Sequence, residues 1–484
     1  MVLLIISDTI LNPQVKFIFK WWSKQGGIFC FPELRKYIQN HGGNNNAGTA
    51  DLFTYYWAKS STENRELLKN SLRIIRGWAQ GIDLDQTSID VERGAVLGEI
   101  RTDNPYRDWI SDTKRATVEY GSGYQGKDKR EMIANIRHFN RDAFIRFYKE
   151  WYRPDLEAAI IVGDIDVDSL ETEIKSLFSD LEMPKNPKDP GLAMLEHTIK
   201  LDGKNQFKVE VDTVNPKPRL SIFSKRPHPG YSPKTQEDFK NLLVQKVYQE
   251  ILLTRMGTIK QYHPLFTLAP NHQYADRQLY TLEVSMNFNE HTPLKKKQAF
   301  LKSMAAFRSV NSGFTAKELK TAKEMVRKAY SEDVSGNTNK LLAEKYRNHF
   351  VLGTVALPPK QEKQMGNDLL DKINLSDVNR AATHYGDLRS NTDFIYYSGS
   401  DIETLDSMTI WSWLKELYSM EVEPFSPKPA ITSLRDVVEV PNKYMDAVKN
   451  ITENQIGVTT VELSNGVKLV LKPTANSNLI KIHA

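Results

Sequence analysis

What this 484-residue chain lacks narrows it first. It has one cysteine, Cys30, so neither an internal disulfide framework nor a cysteine-rich zinc module can be built from it. It has almost no surplus of one charge: 65 Lys and Arg stand against 60 Asp and Glu, and a net +5 over this length asks for no nucleic acid and no acidic membrane. No apolar run approaches the roughly 18 residues that a membrane-spanning helix needs. The opening MVLLIISDTIL carries no Lys or Arg ahead of its apolar part. Its only unbroken apolar run, Val2 to Ile6, falls short of the roughly 7–15 residues of a signal peptide. Either the protein is cytoplasmic or its natural beginning lies elsewhere. What remains is ordinary for a globular protein, 40% hydrophobic and 26% charged, with length for two or three domains.

The clearest local signal runs from Arg141 to Phe178. Phe144, Phe147, Tyr148 and Trp151 recur at i, i+3, i+4 and i+7, the spacing of one helix face, and Pro154 stops that helix. Ala158 to Val162 is a continuous apolar run rich in β-branched residues, which predicts a strand buried on both faces. From Asp168, with Glu171 as capping partner, Leu170, Ile174, Leu177, Phe178 and Leu181 predict a second amphipathic helix.

In this stretch the run FYKEWYRPDLEAAIIVGDID resembles the first domain of the insulinase/pitrilysin-type zinc metallopeptidases, the inverzincins, in which a Trp-Tyr-x-Pro turn leads to a strand ending Val-Gly-Asp. Upstream, HGGNNNAGTADLFTYYW resembles that family's Gly-Gly-x-x-Asn-Ala-x-Thr segment followed by a Thr-Tyr strand. The residues alone describe a short helix from Pro32 closed by Gly42, a glycine-rich turn and a strand. The resemblance adds that this edge strand pairs with the backbone of a peptide substrate, and it assigns Asn46, Ala47 and Thr49 to substrate binding.

Leu67 to Ile82 has helical spacing, and the segment VERGAVLGEIR, from Val91, places Glu92 and Glu99 two turns apart on one helix face. Such a pair ordinarily lies on a solvated surface. By resemblance, Glu99 is the family's third zinc ligand and Glu92 its supporting carboxylate. The family also needs His-x-x-Glu-His on a helix, two imidazoles for the metal and a Glu to take a proton from the bound water. That motif is absent, and no two of the ten histidines stand four apart. Counting back roughly 75 residues from Glu99, the family's spacing, puts Ile18 and Trp22 where the imidazoles belong and Trp21 where the base belongs. The resemblance therefore implies zinc in intact relatives and an orphan ligand here, in a chain that lacks activity of its own: a pseudoenzyme.

Two further motifs are decoys. Glu196-His197 mimics half of the zinc motif but follows Glu99 and lies in a Pro-rich connector. Gly121 to Lys127 fits G-x4-G-K, so a P-loop ATPase stands as an alternative. Residue 128 is Asp, however, where that loop needs a hydroxyl, and an acid there repels phosphate.

After a linker at Pro184 to Pro190 the plan recurs. Strands are expected in Phe207–Ser224, near Tyr280–Phe288 and in Asp393–Ser398. Helices are expected over Thr235–Thr254, Leu294–Val310, Ala316–Leu352, part of Gln361–Tyr385, and Thr409–Ser419. Glu421 to Ile456, with Pro424, Pro427, Pro429 and Pro441, predicts a linker. Thr459 to Lys472 alternates around Asn465-Gly466, a hairpin signal for a type I′ turn. The expected fold class is α+β, tandem homologous domains, each a mainly antiparallel mixed sheet with helices packed on it. The expected boundaries are an atypical segment 1–28, a first peptidase-like domain 29–190, a second domain 191–420 without metal ligands, a linker 421–458, and the opening hairpin of a further domain at 459–484. Both ends look cut, by evolution or by gene calling. The partners this implies are peptide substrates and a second half or partner subunit of the same family. Intact bacterial relatives are often periplasmic.

Overall fold

The computed structural model describes residues 2–6, 39–49, 53–59, 61, 63–82, 84–102, 104–122, 129–189, 199, 201–227, 233–260, 266–272, 279–289, 292–335, 339–399, 405–426 and 448–473. The chain divides into two compact units, Met1–Phe425 and Ser426–Ala484.

The first unit opens with β1 (Val2–Ile6), β2 (Asn44–Thr49) and β3 (Thr54–Lys59). Four helices then lead to the signature stretch: α1 (Arg65–Gln80), α2 (Gln86–Thr102), α3 (Pro105–Val118) and α4 (Lys129–His138). The stretch itself forms α5 (Arg141–Trp151), β4 (Glu157–Ile161) and α6 (Val167–Phe178). The four strands make an antiparallel sheet in the order β2-β3-β1-β4. Val2–Ile6, the apolar run too short for a signal peptide, is an inner strand of it: five apolar residues are too few to signal a strand alone, yet enough to pair with both neighbours.

Asparagine fixes several helix starts. The side chains of Asn64, Asn104 and Asn140 accept from backbone N–H groups in the first turns of α1, α3 and α5, each such cap typically worth about 1 kcal/mol. Phe144, Phe147, Tyr148 and Trp151 are all buried, as their spacing requires. The Tyr148 hydroxyl lies 3.0 Å from the carbonyls of both Trp78 and Ala79, and the Tyr152 and Tyr56 hydroxyls bond at 2.6 Å. Helix and sheet are thereby joined at the layer's centre.

Two expectations are corrected here. The cap of α6 is Asp166, whose carboxylate accepts from Ser169 N at 2.8 Å, and not Asp168; Glu171 instead pairs with Lys175 one turn on. β4 is half-buried throughout instead of fully buried. Its two faces are both covered, but it is an outermost strand among the described residues, bonded only to β1.

The rest of the unit contains β5 (Phe207–Glu210), β6 (Arg219–Pro227), α7 (Gln236–Lys260), β7 (Phe266–His272), β8 (Leu279–Asn287), α8 (Pro293–Val310), α9 (Ala316–Ser335) and α10 (Asn339–Leu352). α11 (Pro359–Lys372), α12 (Leu375–Gly386), β9 (Thr392–Tyr397) and α13 (Ser407–Ser419) complete it. The single helix expected over Ala316–Leu352 is thus described as two, α9 and α10. The strands form a five-stranded sheet, β5-β9-β6-β8-β7, antiparallel except where β5 meets β9. Its main core gathers Tyr248, Phe300, Phe307, Tyr396 and Leu414 among many others.

Each sheet takes one helix from the far side of the chain. α10 packs Ala343 and Val351 against Val162, Ile160 and the Phe53, Tyr55 and Trp57 side chains of the first sheet. α3 reciprocates, setting Val118 and Trp109 against Phe223, Ile395 and Tyr397 of the second.

In the second unit, β10 (Val448–Glu453), β11 (Thr459–Leu463) and β12 (Lys468–Leu471) form an antiparallel meander. The expected hairpin is therefore not isolated: a strand from the stretch taken as linker pairs with it. The turn also differs. Gly466 has φ +89°, but Asn465 is not left-handed, and Gly466 N donates to Leu463 O while Leu463 N donates to Val467 O. That is a type I turn closed by a left-handed glycine, because type I′ would need both central residues at positive φ. No helix of the described residues is long and apolar enough to cross a membrane.

Candidate peptide-binding edge

Asn46, Ala47 and Thr49 all lie on β2, the outer strand of the first sheet among the described residues. In an outermost strand alternate N–H and C=O groups point away from the sheet, a template for one more strand. The register pairs Asn46 with Trp57, Ala47 with Tyr56, Gly48 with Tyr55 and Thr49 with Thr54. Ala47 is buried toward α1 and α5 beside Tyr56, whereas Asn46 is exposed on the opposite face. The Asn46 side-chain oxygen accepts from Ala47 N at 2.8 Å. The side chain of Thr49 lies outside the described residues.

Gly48 is there for a steric reason. A Cβ on it would sit 2.3 Å from Cζ of Tyr55 and 2.4 Å from its hydroxyl, so the tyrosine ring lies directly across the outer strand. Beside it, Phe53 is 5.9 Å from Tyr55, centroid to centroid. The Arg347 guanidinium, from α10, sits 5.5 Å over the Phe53 ring and 5.2 Å over that of Tyr55. Sequence reasoning missed both features. Gly48 and Tyr55 face each other only once the register is known, and Arg347 arrives from the far end of the unit with no local motif to mark it.

On the other face, Glu157 of β4 and Thr54 of β3 flank Ile6 in one cross-strand row. The Glu157 carboxylate oxygens and the Thr54 hydroxyl have no hydrogen-bond partner among the described residues. Burial pushes the Glu157 carboxyl up to about 7, only partly offset by Arg76. Glu157 heads the apolar run that predicted the strand, and a charge at that place was the one available signal.

The metal positions come out differently. Glu92 and Glu99 both lie on α2, but their side chains, the window Ile18 to Trp22, the segment 123–128 of the glycine-rich loop, and Glu196 and His197 lie outside the described residues. Among the described residues no three His, Cys, Asp or Glu side chains converge in a metal-binding cluster. The donor set that the resemblance assigns does not fit zinc: Ile18, Trp21 and Trp22 carry no donor suited to it, and one carboxylate falls short of the three protein ligands of an open catalytic site.

This pair of α+β layers, each with a mainly antiparallel sheet and each lending a helix to the other, is a fold found in metallopeptidases. The structure superposes on the periplasmic protease PqqL from Escherichia coli with a TM-score of 0.71 at 16% identity, over 99% of this chain and 53% of that one. In sequence, the profile of the Peptidase M16 inactive domain matches residues 138–326. A "Zinc protease PQQL-like" protein of Arabidopsis thaliana is 21% identical over 91% of this chain and 43% of its own length. A "Probable zinc protease PqqL" of Haemophilus influenzae is 27% identical over 44% of this chain and 22% of its own length. These comparisons support the insulinase/pitrilysin-type (M16) peptidase family, whose inactive-domain profile matches residues 138–326. The chain spans less than half the length of these two sequence relatives.

Proposed function

We propose that this chain binds extended peptides by adding them as a strand along β2, and that it does not hydrolyse them by itself. The observation that supports the reading is the position of Asn46, Ala47 and Thr49 on an outer strand with no neighbour on its far side among the described residues. Main-chain hydrogen bonds to such an edge supply affinity, and alternate side chains supply selectivity. Hydrolysis would need zinc, which in the family polarises the scissile carbonyl and activates water; the donors assigned above do not fit it. Residues 29–190, with β1 completing their sheet, would then be the peptide-binding domain and 191–420 its metal-free repeat, with the part of 421–458 that precedes β10 a connector.

Hydrogen exchange tests the binding directly. Addition of a ten-residue Thr-rich peptide should slow exchange of the Asn44–Thr49 amides and leave those of Glu157–Ile161, on the opposite edge, unchanged. Protection of β4 alone would sink the reading. Native mass spectrometry of the purified chain should find no bound zinc, and fluorogenic peptides should stay intact; stoichiometric zinc with turnover would defeat the inactive assignment.

A second reading has its own support. The chain covers 53% of Escherichia coli PqqL, and the meander of the second unit exposes Ile451, Leu469 and Leu471, with Ile451, Val461 and Leu469 in one cross-strand row. As a non-catalytic subunit, the chain would hold peptide for a family partner that carries His-x-x-Glu-His. Affinity purification from the native source would recover such a partner.

A further inference from the structure

We propose that Arg347, held over Phe53 and Tyr55, selects acidic side chains in the peptide that β2 receives. The inference rests on the strand-addition reading above and adds to it a substrate class.

The argument begins with what pairs on α10. Lys340 meets Glu344, one turn on, at 4.0 Å, and Lys345 is bonded to Glu362. Arg347 has no carboxylate partner among the described residues. Among the described residues it donates to the Asn348 side-chain oxygen, 3.3 Å from both Nε and Nη2. Two aromatic rings hold it from beneath. With Asn348 on its Nε–Nη2 edge and the rings on one side, the guanidinium keeps its Nη1–Nη2 edge for a carboxylate in a two-pronged bond.

Position supplies the rest. Tyr55 lies across Gly48, so the ring that supports Arg347 already spans the outer strand. A peptide strand added beyond β2 would run about 4.8 Å further out. Alternate side chains of that strand project to the face bearing Asn46, Tyr55 and α10. A Glu or Asp among them, leaning back over the Tyr55 ring, comes to the guanidinium; a Lys there meets a like charge. The missing Cβ at Gly48 is what lets that ring lie across the strand, with Arg347 over it.

Fluorescence anisotropy with labelled ten-residue peptides of alternating Thr and Glu, Thr and Gln, or Thr and Lys tests this on the full chain. The Glu peptide should bind at least tenfold tighter than the Gln peptide, and the Lys peptide weakest. Arg347→Gln should bring the Glu peptide down to the Gln level and leave the Gln peptide unchanged; Arg347→Lys, which keeps charge but loses the fork, should fall between. Gly48→Ala, which displaces the Tyr55 ring, should also reduce the preference. Equal binding of the three peptides, or a Glu preference that survives Arg347→Gln, would overturn the inference while leaving strand addition standing. Failure of every peptide to bind would remove strand addition and the inference together.

Discussion

The two sheets of the first unit treat buried charge in opposite ways. In the second sheet, Asp393 on β9 is fully buried, yet Lys225 Nζ lies 2.6 Å from its Oδ2, and Gln206 N donates to Oδ1. The helix that crosses onto that sheet brings further pairs: Lys114 to Glu283 at 2.9 Å and the Tyr106 hydroxyl to Asp212 at 2.7 Å. In the first sheet, among the described residues, Glu157 has no hydrogen-bond partner, and the helix that crosses onto it brings Arg347 with no acid of its own. The second sheet spends its charges on holding the halves of the unit together. The first leaves an acid on one face and a cation on the other, beside the edge assigned to ligand. Unsatisfied charge costs stability, and proteins keep it where binding or catalysis uses it.

The comparison breaks hardest at Asp393. Asp393→Ala strands Lys225 in the interior, and loss of one member of a buried pair costs about 3–5 kcal/mol. Urea unfolding at pH 7 should show the midpoint falling accordingly; a loss below about 1 kcal/mol would mean that the pair is not the anchor described.

Glu157 should respond to pH in the reverse sense from a salt-bridged carboxylate. Its folded-state value, about 7, lies above the ordinary carboxylate range, and burial is the main cause. The stability it contributes is full below the unfolded value and is lost as pH rises through about 7. At about 1.4 kcal/mol per unit, and with both carboxylate oxygens buried, the loss comes to about 3 kcal/mol. Glu157→Gln should thus be more stable than the parent at pH 8 by about that amount, and close to it at pH 4. Unfolding curves at the two pH values check this, and a variant less stable at pH 8 would show that the carboxylate has a cationic partner after all.

How far the sequence carries to these sites depends on how local each signal is. The faces of α5 and α6 follow from spacing, since a helix repeats every 3.6 residues whatever surrounds it. β3 follows from its Thr and Tyr residues, whereas β2 does not, because Asn44–Thr49 reads by itself as a glycine-rich turn. The inner strand β1 does not, because its pairing on two sides is settled by chain far away. The turn at Asn465-Gly466 went astray for a different reason: the dipeptide satisfies two turn types, and loop length decides between them. The sequence also names Asn46 and Ala47 but cannot place them on an outer strand, and nothing near Arg347 or Glu157 reports what lies opposite. Edge, register and charge pairing are tertiary facts.

The smallest effect sharpens the comparison most. If Arg347 is kept for a ligand, its removal should cost the free protein little. The contacts it would forfeit are a stacked position over two rings and an amide bond at 3.3 Å. Cation–π contacts at partly exposed sites contribute about 0.5–1 kcal/mol, so Arg347→Gln should shift the urea midpoint by no more than that. Asp393→Ala and Arg347→Gln would then separate as a structural charge and a binding charge, measured in one assay. A loss of about 3 kcal/mol at Arg347, comparable with a broken buried pair, would place it instead with Lys114, as a clamp between the halves of the unit.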